Sequence, residues 1–194
     1  MNKRGELLAS HGYTPDPGLV QMTESTVTFY HYTHKENVKK ILAASGGLWA
    51  RLPVVSPPPD LQGLHLVEGL LEPLSRWMIA SPYFGDLGLE MLREYAGDIL
   101  LRIEVPRDFP GLYVADFAHV LESKYVLRRG SPALNLGYDC TTGEEVCKAD
   151  ANSYIPVLEY VGGHVAPEMK ATRRGPGIAV PSQFIKVSDV QPLQ

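Results

Sequence analysis

Residues 25–33 form the segment that most constrains the fold of this chain. Threonine, valine and aromatic residues fill it, and these residue types favour an extended backbone over a helix. Because successive side chains of a strand point to opposite faces, Val27, Phe29, His31 and Thr33 share one face. The pattern therefore predicts a strand that directs a histidine toward an otherwise apolar side.

A short helix is predicted directly after this strand. Thr33 and Glu36 have the spacing of a capping box, and Val38 and Ile41 begin an apolar stripe. Gly46 stands where a left-handed residue ends many helices. Strand, cap and helix together predict one continuous structural unit.

The rest of the chain predicts an α+β fold. Further strands are predicted at 50–55, 63–67, 99–105, 154–161 and 183–187, and helices at 70–80, 86–95 and 116–123. A loop rich in glycine and proline is expected between the last two strands. Since strands and helices do not alternate regularly, packed antiparallel sheets are favoured over a parallel doubly wound sheet.

The length of 194 residues, 44% of them hydrophobic, fits one globular domain. Residues 1–24 are interpreted as a loosely structured lead-in, because Thr14–Pro15–Asp16–Pro17–Gly18 interrupts any regular element. The single domain is accordingly placed at 25–194.

The net charge of −4 provides no broad basic field that would hold a nucleic acid or an anionic membrane. Neither a secretory signal nor a membrane span is visible, so we expect no membrane association. The expected location is the cytoplasm of the producing cell, and an effector delivered into a host or competitor cell would have the same features.

Two cysteines, Cys140 and Cys147, flank a segment typical of a turn. They allow either a disulfide across a hairpin or two free thiols, and the free thiols are favoured in a reducing compartment.

Two polar residues stand out within predicted strands. His31 is either a core histidine bonded to a backbone carbonyl or a ligand-binding residue. Glu159 alternates with Ile155 and Val157, and a carboxylate in an apolar row is expected to be paired or to line a cleft. The alternative is an edge strand open to solvent, which Pro156 favours.

Together these two segments carry a resemblance to a known family. Tyr30–His31–Tyr32–Thr33, followed by a helix and then Gly47–Leu48, resembles the first motif of diphtheria-toxin-like and PARP-like ADP-ribosyltransferases of the His–Tyr–Glu type. Leu158–Glu159–Tyr160–Val161, followed by a glycine loop, is similar to the last motif of that family. The resemblance implies a split antiparallel β-sandwich with flanking helices and an NAD cleft.

The middle motif of the family is a Gly-x-Tyr strand, and its nearest match here is Gly63–Leu64–His65–Leu66. His65 then takes the position of the tyrosine, and Trp77 or Tyr83 would supply the ring that stacks on nicotinamide. For Trp77 the alternative is a buried aromatic residue of a helix.

The resemblance also implies roles and a reaction. Glu159 would stabilise the oxocarbenium-like ribose and bind its 2′-hydroxyl, and His31 would hold the adenosine-side ribose. Tyr32 and Thr33 would help to orient NAD, which serves as the substrate, and no metal is required. The implied enzyme is a mono-ADP-ribosyltransferase of the bacterial effector or toxin type, with a macromolecular acceptor that is more often protein than nucleic acid.

Other functions stay open at this point. The same fold is compatible with NAD hydrolysis, and the histidine in place of tyrosine allows a catalytically silent binding module. Transfer of a tRNA 2′-phosphate is disfavoured because basic residues are few. Arg173 and Arg174 would contact a phosphate or an acceptor, or else belong to a solvated basic loop.

Overall fold

The computed structural model describes residues 16–52, 63–80, 86–117 and 149–194. The strands in these ranges are β1 (Gln21–Met22), β2 (Thr26–Thr33), β3 (Gly47–Ala50), β4 (Leu64–Leu70), β5 (Ile99–Pro106), β6 (Leu112–Asp116), β7 (Ile155–Pro156), β8 (Pro167–Arg174), β9 (Gly177–Pro181) and β10 (Ile185–Val187). The helices are α1 (Lys35–Ile41), α2 (Arg76–Ala80) and α3 (Asp86–Ala96), and 3-10 turns occur at Pro17–Leu19, Val157–Glu159 and Ser182–Phe184.

The strands form two antiparallel sheets. The large sheet has the order β10-β5-β2-β4-β8-β6-β7, with β1 paired to β2, and the small sheet consists of β3 and β9. The predicted α+β class with antiparallel sheets is confirmed.

Two apolar layers cover the two faces of the large sheet. On one face, Val27, Phe29 and Met169 belong to the same core as Leu48 and Val180 of the small sheet. The other face packs against the helices in a second core. Because β2 is covered on both faces, even its tyrosines and Thr33 are buried, which explains the dense β-branched and aromatic composition of this strand.

The large sheet opens between β2 and β4. β2 pairs with β5 along its whole length, but with β4 it forms the single pair Tyr30↔Leu70. At the point of contact Gly69 allows the close approach, since a Cβ atom there would lie 2.6 Å from Cδ2 of Phe29. The two strands therefore meet once, and His31 of β2 lies just beyond the contact.

The predicted cap of α1 is wrong. Thr33 is the last residue of β2 and pairs with Ile99, so its side chain does not cap the helix. His34 occupies the N-cap position and makes no side-chain cap hydrogen bond, and the C-cap is Leu42. Gly46 is also absent from the glycines with positive φ, so the predicted left-handed cap is wrong as well.

The strand predicted over 154–161 is much shorter in the structure. β7 contains only Ile155–Pro156, and a 3-10 turn over Val157–Glu159 follows. Pro156 lacks the N–H that a continuing ladder needs, which confines it to the edge of the sheet.

β8 is an inner strand of the large sheet, although the sequence predicts a loop in this region. Met169 and Ala171 face the core, whereas Glu168 and Lys170 occupy the alternate positions. Because these two residues are charged, the sequence of β8 does not show the apolar pattern expected of an inner strand. Arg173 belongs to this strand and donates a hydrogen bond from Nη1 to the carbonyl of Ile178 at 3.0 Å, so it is not part of a solvated loop.

The observed boundaries of several other elements also differ from the predicted ones. Helix α2 begins only at Arg76, because Leu70 still belongs to β4 and pairs with β8. Asp116 ends β6 where a helix was predicted to begin. Before residue 25, Leu19 and Val20 already lie in the core.

The predicted sites at Tyr83, Cys140 and Cys147 lie outside the described residues.

None of the described helices has the length and apolar character that crossing a membrane requires.

Gly97 joins α3 to β5 and provides a test of this packing. It has a φ of +100°, and a Cβ atom there would overlap the carbonyl group of Thr33. Gly175 also has a positive φ, +71°, but no described atom lies within 4 Å of a Cβ added there. We expect Gly97→Ala to lower the free energy of unfolding by at least about 1 kcal/mol more than Gly175→Ala, measured by urea denaturation. Equal losses would show that the contact with Thr33 is not constraining.

Candidate active site

The opening between β2 and β4 contains the imidazole of His31. Its Nδ1 lies 2.7 Å from the backbone carbonyl oxygen of Glu68. A carbonyl oxygen only accepts hydrogen bonds, so Nδ1 carries the hydrogen. Burial lowers the pKa of His31, against an opposing effect of the Glu68 carbonyl, and the ring is therefore neutral near pH 7. Nε2 is then left with a lone pair that can accept a hydrogen bond from a ligand hydroxyl.

A buried lysine binds the side chain of Glu68, the residue whose backbone carbonyl holds this histidine. Lys170 is 2% exposed, and its Nζ donates to Oε1 of Glu68 at 2.9 Å and to Oε2 of Glu168 at 3.1 Å. The register accounts for the arrangement: Glu68 is the direct partner of Lys170 across β4 and β8, and Glu168 lies two residues earlier on the same face of β8. We call these three side chains the lysine cluster.

The two carboxylates of the lysine cluster differ in environment. The Glu68 side chain is 48% exposed, and the ammonium of Lys170 lowers its pKa, so it is ionised near neutral pH. Glu168 is 7% exposed, and burial raises its pKa to about 7 despite the attraction of Lys170. Burial by itself would lower the pKa of Lys170, but the charges of Glu68 and Glu168 raise it overall. The cluster therefore combines a permanent ion pair with a carboxyl group that titrates near neutrality.

A third acidic residue, Asp150, approaches the cluster from the helical turn at 149–152 that precedes β7. Ser153 fixes this turn, because its Oγ donates to the carbonyl of Asp150 at 2.6 Å and accepts from the N–H of Asp116 at 2.9 Å. Asp150 is 5% exposed, and its burial raises its pKa to about 6, while the charge of Lys170 acts in the opposite direction. The described His, Cys, Asp and Glu side chains contain no group of three that could hold a metal ion.

No family model, curated protein or solved structure matches this chain. What the site does must therefore be argued from its own residues.

The predicted NAD-binding residues of β2 lie side by side but on alternate faces. His31 and Thr33 face the small sheet, whereas Tyr32 faces the helices and donates from its hydroxyl to the carbonyl of Pro73 at 2.7 Å. Thr33 is buried at the end of the strand. His31 bonds to the Glu68 carbonyl through Nδ1, so its other ring nitrogen, Nε2, takes no part in that bond.

His65 and Trp77 occupy different surroundings. His65 lies at the start of β4, is the cross-strand partner of Arg173, and its Nδ1 lies 3.3 Å from the carbonyl of Gly63. Trp77 is 1% exposed in α2 and its ring lies 5.9 Å from that of Phe117. The burial agrees with the alternative of a helix aromatic, and its contact with nicotinamide stays a prediction, as does the role of His65.

Glu159 is exposed at the end of the 3-10 turn that follows β7. Four strand spacings separate β7 from β2 in the sheet, or about 19 Å. The structure thus brings His31 next to Glu68 and not next to the strand that precedes Glu159. The catalytic role of Glu159 stays a prediction.

The sequence reasoning missed Glu68, Lys170 and Asp150. One signal was available: Glu168 and Lys170 alternate with Met169 and Ala171, which is the pattern of a strand with charges on one face. No local pattern shows that Lys170 is buried, because its partner Glu68 lies 102 residues away in the sequence.

Removal of the Lys170 charge tests the energetic role of the cluster. Lys170→Met would leave the ionised, half-exposed Glu68 and the buried Glu168 without their cation, and we expect a loss of about 3 to 5 kcal/mol in the free energy of unfolding. Lys186→Met, at an exposed position of β10, is the matched control, with an expected change within about 0.5 kcal/mol. Urea denaturation of both variants gives the comparison, and similar losses would contradict a structural role of the ion pairs.

The raised pKa of Glu168 predicts a distinct dependence of stability on pH. Between about pH 4.5 and 7 the unfolded chain ionises this group while the folded chain keeps it protonated. Its contribution to stability therefore falls as pH rises, by at most about 1.4 kcal/mol per pH unit. We expect Glu168→Gln to gain stability relative to wild type as pH rises from 5 to 7, whereas Glu104→Gln, at an exposed residue of β5, should follow wild type. Parallel curves for Glu168→Gln and wild type would refute the assignment.

Proposed function

We propose that this chain breaks the bond between nicotinamide and ribose in NAD and transfers ADP-ribose to a macromolecular acceptor. The observation that carries the proposal is the juxtaposition of His31 and Glu68 at the opening between β2 and β4. The resemblance of the His31 segment to the first ADP-ribosyltransferase motif supports the same reading. In this proposal the two antiparallel sheets correspond to the split β-sandwich of that family.

His31 binds the substrate in this proposal. Its ring is neutral and its Nδ1 hydrogen is committed to the Glu68 carbonyl, so Nε2 accepts a hydrogen bond from a ribose hydroxyl of NAD. A fixed acceptor orients the sugar without a charge, which lowers the entropic cost of reaching the reactive geometry.

Glu68 supplies the negative charge. One of its carboxylate oxygens accepts from Lys170 and the side chain is half exposed, so the second oxygen can face a ligand. Loss of nicotinamide leaves positive charge on the ribose ring, and a carboxylate about 4 Å away stabilises it by about 4 kcal/mol at an effective dielectric constant of about 20. Such an interaction corresponds to roughly a thousandfold in rate.

Lys170 and Glu168 position this carboxylate. The ion pair keeps Glu68 ionised, which the stabilisation of a cationic ribose requires. Lys170 therefore acts through Glu68 and needs no contact with NAD. Glu159 stays the rival candidate for the carboxylate, because the family resemblance points to it.

A matched pair of variants decides between the two carboxylates. Purified protein is incubated with NAD, and free nicotinamide is quantified by chromatography for wild type, Glu68→Gln and Glu159→Gln. We expect the change at Glu68 to lower kcat by about 100-fold or more, and the change at Glu159 to alter it by less than about threefold. Both substitutions are isosteric, and thermal melting verifies that each variant is folded.

The remaining outcomes are equally informative. Loss of activity only in Glu159→Gln would place the reaction at the turn after β7. If the wild-type protein releases no nicotinamide, the proposed enzymatic activity is excluded and a binding module remains. Labelled NAD with a cell lysate separates transfer from hydrolysis, since label reaches a macromolecule only in the first case.

A further inference from the structure

Three acidic side chains surround the single positive charge of Lys170, so the acidic groups outnumber the cation. Glu68, Glu168 and Asp150 all interact electrostatically with the Lys170 ammonium. Hydrogen bonds from Nζ engage Glu68 and Glu168, one oxygen each. Above the pKa values of the two buried acids, the four groups together carry a net charge of about −2.

Asp150 is the group that this arrangement leaves unsatisfied. It is 5% exposed, and its Oδ1 accepts no hydrogen bond from the part of the chain that the structure describes. A buried carboxylate oxygen without a donor is unfavourable, because the lost hydration is not replaced. Such an atom indicates a place where a ligand can supply the missing donor.

Aromatic rings lie beside these acids. The rings of Tyr113 and Tyr154 are 6.1 Å apart, and Tyr113 is the cross-strand neighbour of Lys170. The ammonium of Lys170 lies 5.5 Å from the centre of the Phe117 ring. Ring faces attract cations, so both the charges and the rings of this region favour a positively charged group.

We propose that Asp150 and the lysine cluster form a binding site for a guanidinium group, such as the side chain of an arginine in a partner or substrate. A guanidinium carries several N–H donors in one plane, so it can bond Oδ1 of Asp150 and the free oxygen of Glu68 while its face stacks on a tyrosine ring. The half-exposed Glu68 side chain marks the open side of the site. The site shares Glu68 with the proposed NAD site, but binding of a guanidinium does not require NAD cleavage.

The test is a titration of the full chain without NAD, followed by nuclear magnetic resonance. The probe is N-acetyl-arginine amide, and N-acetyl-citrulline amide is its neutral counterpart of nearly the same shape. We expect saturable binding of the arginine probe and at least about tenfold weaker binding of the citrulline probe. Equal affinity for the two probes, or no binding of the arginine probe, would overturn the proposal.

Two variants locate the binding. Asp150→Asn should weaken the arginine probe about tenfold or more, whereas Glu104→Gln, a salt-bridged residue of β5, should bind like wild type. Because the first change removes a buried charge, we expect it to keep or raise the melting temperature, which separates lost binding from unfolding. Unchanged binding by Asp150→Asn would also overturn the proposal. Nicotinamide release is measured separately, so the NAD proposal can fail while this one holds, and the reverse.

Discussion

The ion pairs of Lys170 with Glu68 and Glu168 are the interaction on which the arrangement of this protein depends. A lysine side chain that is 2% exposed has lost the water around its ammonium group, and well-placed carboxylates compensate for that loss. One of them comes from the neighbouring strand and the other from the same strand. A shift of the β4–β8 register by one residue would turn Lys170 away from Glu68 and into the apolar face. The pairing therefore specifies the register as well as neutralising the charge.

The same register determines how His31 is held. Glu68 has two roles, because its side chain binds Lys170 and its backbone carbonyl binds the imidazole. In a regular ladder this carbonyl would bond to a neighbouring strand, but β2 and β4 meet at a single pair. The histidine satisfies a carbonyl that the opening of the sheet leaves without a strand partner. The opening thus leaves the Glu68 carbonyl accessible to His31, and His31 in turn replaces the missing strand partner of that carbonyl.

The hydrophobic periodicity of the sequence predicted an element correctly where the element has a buried apolar face and no buried charges. β2, α3 and β5 were predicted within about one residue at each end, and the apolar positions of β2 and β5 face the cores, whereas Tyr95 of α3 is 71% exposed. The prediction failed at β7 and β8 for different reasons. Pro156 ended a strand that the apolar pattern favoured, and the buried charges of β8 made an inner strand look like a polar loop.

The sequence alone determined that β2 is a strand, that His31 points to its apolar side, and that the chain is α+β with antiparallel sheets. These features depend on residues close together along the chain, and the hydrophobic pattern records them. Only the tertiary structure decided which groups accompany His31, because Glu68 lies 37 residues away from it and Lys170 a further 102. Burial of a charge is a property of the whole fold. For this reason the carboxylate that lies next to His31 is Glu68, and Glu159 is exposed at a turn elsewhere.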